Sequence, residues 1–494
     1  MDVILGIDQG TTATKAVLVG EGRAALATAP RALDHLYPQP GWVEMDPAAI
    51  WRSLLSAAAE AVDLAQARGD RIRAVGLANQ GESVVAWDAE TGEALHHVIT
   101  WQCARTAERC AELAATVDVA ALRAKTGLLL DPYFSATKLQ WLLERVPAVQ
   151  AARRRGSLRL GTLDSWMIWR LSGGRAFVTD YTTASRTLLF DLHALDWDDG
   201  LLALFGVPRW ALPQPRPSAC LLGETAPAAF LGLGLPIAGS AVDQPAALFA
   251  HGCCREGALK ITYGTGAFLL MNIGQRFRLS QHGLLTSLAA TGEGEPVQYY
   301  LDGGIYSVGA ALDWLRDNLG LVAEAGETAA LAESLPDNEG VYFVPALAGL
   351  AAPLWDRQAR AAFLGLTSAT TRAHLARAVL ESIAYRVLQV VRSMGADAGA
   401  AIGELRADGG VARNDFLMQF QADILGVPVQ RSRLAGMTAL GAARLAGLAI
   451  GLWDRVALSQ PVETDRFLPG PRATAPLESF HRWEEALGAA RAFG

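Results

Sequence analysis

Cysteine is scarce in this chain of 494 residues, long apolar runs are missing, and clustered positive charge is almost absent. The five cysteines, Cys103, Cys110, Cys220, Cys253 and Cys254, form no Cys-x-x-Cys pair, which excludes a zinc ribbon and argues against a disulfide framework. Reduced thiols fit that pattern, and the N-terminus enters an apolar strand without a charged leader, so a cytoplasmic location is expected. The longest apolar stretch, Met437 to Trp453, is interrupted by Arg444 and reads as a buried helix packed on a sheet, not a span. No basic run exceeds Arg153-Arg154-Arg155 and the net charge is −7, so neither a nucleic acid nor a membrane is expected as a partner. Low-complexity segments are lacking too. With 51% hydrophobic residues the chain is globular, and its length exceeds what one core holds, so two domains are expected.

What is present begins with Val3 to Val19: an apolar strand, a tight turn at Asp8-Gln9-Gly10-Thr11-Thr12, and a second apolar strand from about Lys15. Gly10 lets the backbone bring its N–H groups close to an anion, and Thr11, Thr12 and Thr14 add hydroxyl donors. Asp8 places a carboxylate where Mg²⁺ can sit beside a polyphosphate. The stretch is not a P-loop, which needs Gly-Lys-Ser/Thr opening a helix. Taken alone it also reads as an ordinary hairpin. A second copy shifts the balance: Leu259 to Ile273 repeats strand, Gly264-Thr265 turn and strand, about half the chain later. The natural reading is an α/β fold duplicated around two phosphate hairpins, divided into residues 1–247 and 248–494, with a nucleotide in the cleft between the halves.

Between the hairpins, Asp46-Pro47 is a cap followed by Pro at the first position of a helix running to about Ala67, and Arg73 to Ala78 returns as a strand. Polar clusters follow strand ends at Asn79-Gln80-Gly81-Glu82-Ser83, Trp101-Gln102 and Asp131-Pro132-Tyr133-Phe134; each can bind a ligand or merely cap its element. An insertion is expected from roughly Arg105 to Pro227. Asp243-Gln244 breaks a buried strand just before a helix with Pro245 in its first turn, a position that suits a cap as well as a catalytic acid. In the second half, Ser307 to Trp314 opens a helix on small residues and Thr371 to Met394 forms a long one. Asp408-Gly409-Gly410 is a strand-to-helix turn whose glycines can lie against a purine.

In these motifs the chain resembles the FGGY family of carbohydrate kinases, its glycerol kinase branch most closely. The resemblance rests on Asp8 to Thr12, Gly41 to Glu44, Asp131 to Lys138, Ala184 to Phe190, Asp243-Gln244, Thr262 to Gly266, Asp408 to Gly410, Phe416 to Asp423 and Thr438 to Ala443. It implies two ribonuclease H-like (actin-like ATPase) domains facing each other across a nucleotide cleft. It further implies an ATP- and Mg²⁺-dependent transfer of phosphate to a small polyol, with glycerol giving glycerol 3-phosphate the best single assignment. By the same resemblance Asp243 is the general base and Asp8 the metal residue. Thr11, Thr12, Lys15, Thr265 and Gly266 contact phosphates, while Gly309, Asp313, Gly410 and Asn414 lie about the adenosine. Gly81, Glu82, Trp101, Tyr133, Asp243, Gln244 and Phe268 line the polyol site. Homo-oligomers, dimers or tetramers, are compatible with it. The departure is Gly81, where glycerol kinases carry arginine in Asn-Gln-Arg-Glu. Removal of that side chain is expected to leave space, which keeps open a kinase of a C4–C5 polyol or a ketose. A catalytically idle sensor of the same fold is the remaining alternative.

Overall fold

The computed structural model describes residues 1–20, 26–458, 462–470 and 475–493. The chain forms two compact units. The first comprises Met1–Gly252, Thr286–Tyr299 and Gly436–Gln460; the second comprises Cys253–Leu285, Tyr300–Ala435 and Pro461–Gly494. A single cut after residue 247 therefore does not describe the division. Two later segments return to the first unit, one of them the apolar stretch that begins at Met437.

In the first unit, β1 (Asp2–Gln9) and β2 (Ala13–Gly20) form the expected hairpin, closed by the Gly10 N–H donating to Ala13 O at 3.1 Å. The helix Pro47–Ala67 starts where Asp46 accepts hydrogen bonds from the Ala48 and Ala49 N–H groups, and it leads to β3 (Arg71–Asn79). With β4 (Ala219–Glu224) and β5 (Pro236–Val242) the sheet runs β4-β5-β3-β1-β2; β1, β3 and β5 are parallel and β4 is antiparallel at the edge. The expected insertion thus stops short of Pro227, because β4 already belongs to this sheet. Between β3 and β4 the chain adds Val84–Asp88 and Leu158–Thr162, strands of a separate four-stranded sheet that shares the core of the first unit.

The second unit repeats this topology. Its hairpin is β6 (Leu259–Tyr263) and β7 (Ala267–Asn272), with the Gly264 N–H donating to Gly266 O at 2.8 Å. Adding β8 (Tyr299–Ile305), β9 (Leu405–Asp408), β10 (Val429–Ser432) and β11 (Thr464–Phe467) gives the order β8-β7-β6-β9-β10-β11. Again a hairpin strand, β6, lies parallel to β9, β9 to β10, and an antiparallel strand closes the edge. The long helix Arg372–Ala398 precedes β9 as Pro47–Ala67 precedes β3. The duplication read from two Gly-Thr turns is thus a duplication of the whole sheet.

The helix Met437–Ala449 covers the first unit's sheet, and glycine on the strands lets it approach. A Cβ at Gly6 would lie 2.1 Å from Ala439 O and one at Gly76 2.0 Å from Ala442 O. The helix is held equally close on another side, where a Cβ on Gly441 would meet Ala246 O at 1.9 Å. Ala246 belongs to Asp243–Ala250, the helix that Asp243 opens. Among the described residues no helix is long and apolar enough to cross a membrane.

Two glycine-to-alanine changes separate helix propensity from this packing. Gly488→Ala, exposed on a helix with nothing near its Cβ position, should raise stability by about 0.5–1 kcal/mol. Gly441→Ala gains the same propensity but drives a methyl group into a backbone oxygen, so a net loss of about 1–3 kcal/mol in denaturant melts is expected.

Candidate active site

Because β1, β3 and β5 run parallel, their carboxyl ends share one edge of the sheet: Asp8 aligns with Ala78, and Asn79 with both Gln9 and Val242. The segments leaving these three strands therefore meet at that edge, namely the Gly10–Thr12 turn, the Gln80–Ser83 loop and Asp243. Such an edge of a parallel sheet is a usual ligand site. The loop is fixed by its own bonds. The Gln80 N–H donates to Gln9 O at 2.9 Å, and Ser83 Oγ donates to Gln80 Oε1 at 2.9 Å. Glu82 adopts φ +60°, a left-handed conformation that non-glycine residues seldom take and that turns its side chain inward.

Three carboxylates are linked electrostatically here, with Asp243 acting on both Asp8 and Glu82. Asp243 accepts from the Gln244 N–H at 2.7 Å through Oδ1 and from Gln244 Nε2 at 3.2 Å through Oδ2. Asp8 is raised to about 7 by burial, further by the Asp243 charge, and is opposed by Lys15, its cross-strand partner in the hairpin. Its Oδ1 is buried with no hydrogen-bond partner among the described residues. Burial likewise pushes Glu82 up to about 7 with Asp243 adding to it, while Arg186 and Lys138 pull the other way. Arg186 Nε donates to Glu82 Oε1 at 2.5 Å, and its guanidinium lies 5.7 Å from the Tyr133 ring centroid and 5.3 Å from that of Phe134. Trp101 joins the aromatic wall to the hairpin: its indole stands edge-on to Tyr133 at 5.4 Å and its Nε1 donates to Thr11 Oγ1 at 3.0 Å.

Thus the first unit brings together Asp8, Thr11, Lys15, Gly81, Glu82, Trp101, Tyr133, Asp243 and Gln244. Thr12 is exposed at the hairpin tip, its carbonyl accepting from the Leu33 N–H. At Gly81 the first carbon of a side chain would be crowded: a Cβ there would lie 3.0 Å from Val242 Cγ1. Residues without an assigned role also contribute. Arg186 and Lys138 lie in the Ala184–Phe190 and Asp131–Lys138 motifs, but neither motif tells where its cation points. Lys138 is fully buried, lowered to about 8 by that burial, and its Nζ donates to Tyr133 O at 2.7 Å and Phe134 O at 3.0 Å, fixing the aromatic wall.

The second unit gathers another group. The Gly309 N–H donates to Gly264 O at 3.0 Å, and the Val308 and Ala310 N–H groups both donate to Thr265 O at 3.1 Å, so the helix start at Gly309 is locked to the hairpin. A Cβ on Gly309 would meet Gly264 O at 2.6 Å, and one on Gly266 would meet Ile305 O at 2.6 Å. The two turn glycines differ: Gly409 packs on the Tyr263 backbone at φ +99°, while Gly410 has open space around it. Asn414 caps the helix Asp415–Leu425 by accepting from the Leu417 N–H, and its Nδ2 donates to Thr328 Oγ1 at 3.1 Å. Asp313 is exposed in an ion pair with Arg316 at 3.0 Å. Phe268 sits on β7 opposite Gly304.

Residues 3–250 match the N-terminal domain of the FGGY family of carbohydrate kinases and residues 259–450 its C-terminal domain. The chain belongs to this family. Among FGGY proteins it is 48% identical over 490 residues to a glycerol kinase of Symbiobacterium thermophilum, covering 99% of this chain and 98% of the relative. A second relative, glycerol kinase 2 of Thermotoga maritima, is 46% identical over 489 residues with the same coverage. The crystal structure of Plasmodium falciparum glycerol kinase with ADP matches at TM-score 0.91 and 32% identity, covering 99% of this chain and 98% of that one. A xylulose kinase from Rhodospirillum rubrum matches at 0.85 and 26%, covering 99% of each chain.

The buried Glu82–Arg186 pair gives this FGGY site a pH-dependent signature. Arg186→Met strands the carboxylate, which costs about 3–5 kcal/mol where Glu82 is ionised. An acid whose folded pKa is raised loses stability as pH climbs from its unfolded value, 4.5, through its folded one, and the variant raises that folded pKa further. The deficit against wild type should therefore be largest at pH 8 and shrink toward pH 5, as followed by thermal melts. Arg186→Met with Glu82→Gln should abolish the pH dependence of that deficit.

Proposed function

We propose that this FGGY kinase transfers the γ-phosphoryl group of ATP to a terminal hydroxyl of glycerol, forming glycerol 3-phosphate and ADP. The observation that carries the reading is Asp243 at the shared strand edge beside Asp8 and Glu82, in a chain that is 48% identical to a glycerol kinase along its length.

An alcohol is a weak nucleophile at neutral pH, so its proton must be accepted as its oxygen attacks phosphorus. Asp243 is assigned that proton. The two Gln244 donors orient its carboxylate. The bond from the γ-phosphorus to the β–γ bridging oxygen breaks as the new P–O bond forms, and ADP leaves with the electron pair. Backbone N–H groups and hydroxyls of the two hairpins, at Thr11, Thr12, Thr265 and Gly266, are assigned to the phosphate oxygens, with Lys15 reaching from β2. The open face at Gly410 suits the flat adenine. Gly309 and Asn414 hold that region in place, whereas Asp313 is tied to Arg316 at the surface. Glu82, Trp101, Tyr133, Gln244 and Phe268 are assigned to the polyol.

The residues fit Mg²⁺ at Asp8. A buried carboxylate oxygen without a partner, in the field of a second carboxylate, is a hard-oxygen site that lacks a cation. When bound, the ion supplies neutralisation of phosphate charge. Among the described residues no cluster of three or more His, Cys, Asp or Glu could hold a metal by itself, and kinase Mg²⁺ characteristically takes one or two carboxylates plus phosphates. A cytoplasmic site of action suits an ATP consumer in which no disulfide links the cysteines.

The measurement is coupled ADP release across C3 to C5 polyols and ketoses. Glycerol is expected to lead; a C4 or C5 substrate in first place would transfer the assignment to that compound, and absence of turnover with any of them would favour the idle sensor. Asp243→Asn keeps the shape and removes the base, so kcat should fall about 10²–10⁴-fold with little change in polyol affinity. Turnover within tenfold of wild type would remove Asp243 from that role.

A further inference from the structure

Gly81 stands one residue before Glu82 in the loop after β3. Its backbone lies outside the left-handed region, so conformation does not demand glycine there. What restricts the position is a neighbour. A Cβ on Gly81 would lie 3.0 Å from Val242 Cγ1, 3.6 Å from Cγ2 and 3.9 Å from Cβ. The first of these is closer than ordinary van der Waals contact between carbons.

Val242 has little freedom to yield. It is the last residue of β5, is 4% exposed, and pairs with Asn79 on β3. Its N–H donates to Thr182 Oγ1 at 2.9 Å, and that hydroxyl donates to Asp180 Oδ2 at 2.8 Å. Ser218 Oγ donates to the same carboxylate oxygen at 2.7 Å, so the strand end is tied to a buried network. A β-branched side chain is also stiff at χ1. Immediately after Val242 comes Asp243, so a displaced valine would move the general base.

We propose that Val242 is a specificity-determining residue, forming with Gly81 a matched pair in which the isopropyl group fills the volume that a side chain at position 81 would enter. The inference rests on the polyol-kinase reading. It replaces the expectation of an enlarged pocket with an apolar neighbour: the group facing the Gly81 backbone is the Val242 isopropyl. An apolar wall cannot hydrogen-bond a substrate hydroxyl, and for the same reason leaves no buried donor unpaired when that hydroxyl is missing. Sites built around such donors reject deoxy analogues strongly, whereas apolar ones do not. The substrate class therefore extends to polyols lacking one hydroxyl, such as propane-1,2-diol. Arginine at 81 requires a smaller residue at 242.

The test is a double-mutant cycle on the full chain with Gly81→Ala, Gly81→Arg, Val242→Ala and the two combinations. Thermal melting reads the contact. Gly81→Ala should lower Tm in the wild-type background and leave it unchanged in the Val242→Ala background; equal shifts in both would overturn the pairing. Turnover reads specificity. Wild type should favour glycerol over propane-1,2-diol by less than about tenfold in kcat/KM. Gly81→Arg alone should lose activity on both, and Gly81→Arg with Val242→Ala should recover it and raise the glycerol preference about ten- to a hundredfold, the worth of a charged hydrogen bond. A folded, active double variant with an unchanged preference would overturn the specificity role. Absence of turnover by wild type with either compound would instead count against the glycerol assignment, while the melting cycle would still decide whether the two residues are matched.

Discussion

Burying negative charge is the constraint around which the first unit is arranged. Asp8 and Glu82 are both raised to about 7 by burial, and the Asp243 charge acts on both in the same direction. Carboxylates brought this close out of water repel one another and would take up protons unless something opposed it. The surrounding residues provide the opposition in different forms. Arg186 answers Glu82 with a guanidinium at 2.5 Å, Lys138 acts from inside the aromatic wall, Lys15 faces Asp8 across the hairpin, and Gln244 donates twice to Asp243. Asp8 keeps a buried oxygen, Oδ1, without a hydrogen-bond partner among the described residues.

The scaffold holds these groups through close backbone approach. Parallel strands put Asp8, the Gln80–Ser83 loop and Asp243 at one edge, and the helix Met437–Ala449 presses on the sheet behind them through Gly6 and Gly76. Its Gly441 sets the helix that begins with Asp243. A packing contact far along the chain therefore positions the residue assigned as base. The second unit uses the same device at smaller scale, with Gly309 seated on the Gly264 carbonyl and Gly409 on the Tyr263 backbone. Glycine serves in these places by lacking a side chain, whereas Gly410 leaves an open face.

Much of this was legible in the chain. The two hairpins, the helix capped by Asp46, the return strand to Asn79 and the strand break at Asp243 all depend on local patterns: glycine turns, a cap followed by proline, and apolar alternation. Family motifs then named the chemistry. Less legible were the partners of charged residues. Arg186 and Lys138 sit inside family motifs, but a linear motif does not say that one pairs with Glu82 and the other clamps two carbonyls. The apolar stretch after Met437 was readable as a buried helix; that it belongs to the first unit was not, because chain order does not record which sheet a helix covers.

The sequence by itself determined the duplicated α/β plan, the hairpin chemistry and the class of reaction, since these reside in residue types at short, fixed spacing. Tertiary structure alone decided what Gly81 means. Read along the chain, a missing side chain is a gap to be filled by substrate or water. In the fold, the end of β5 lies against that position and the Val242 isopropyl crowds its first carbon, because strand pairing brings Val242 level with Asn79, two residues before the glycine. Whether a site is wide or narrow depends on which distant side chains its walls bring together, and that is a property of packing, not of spacing along the chain.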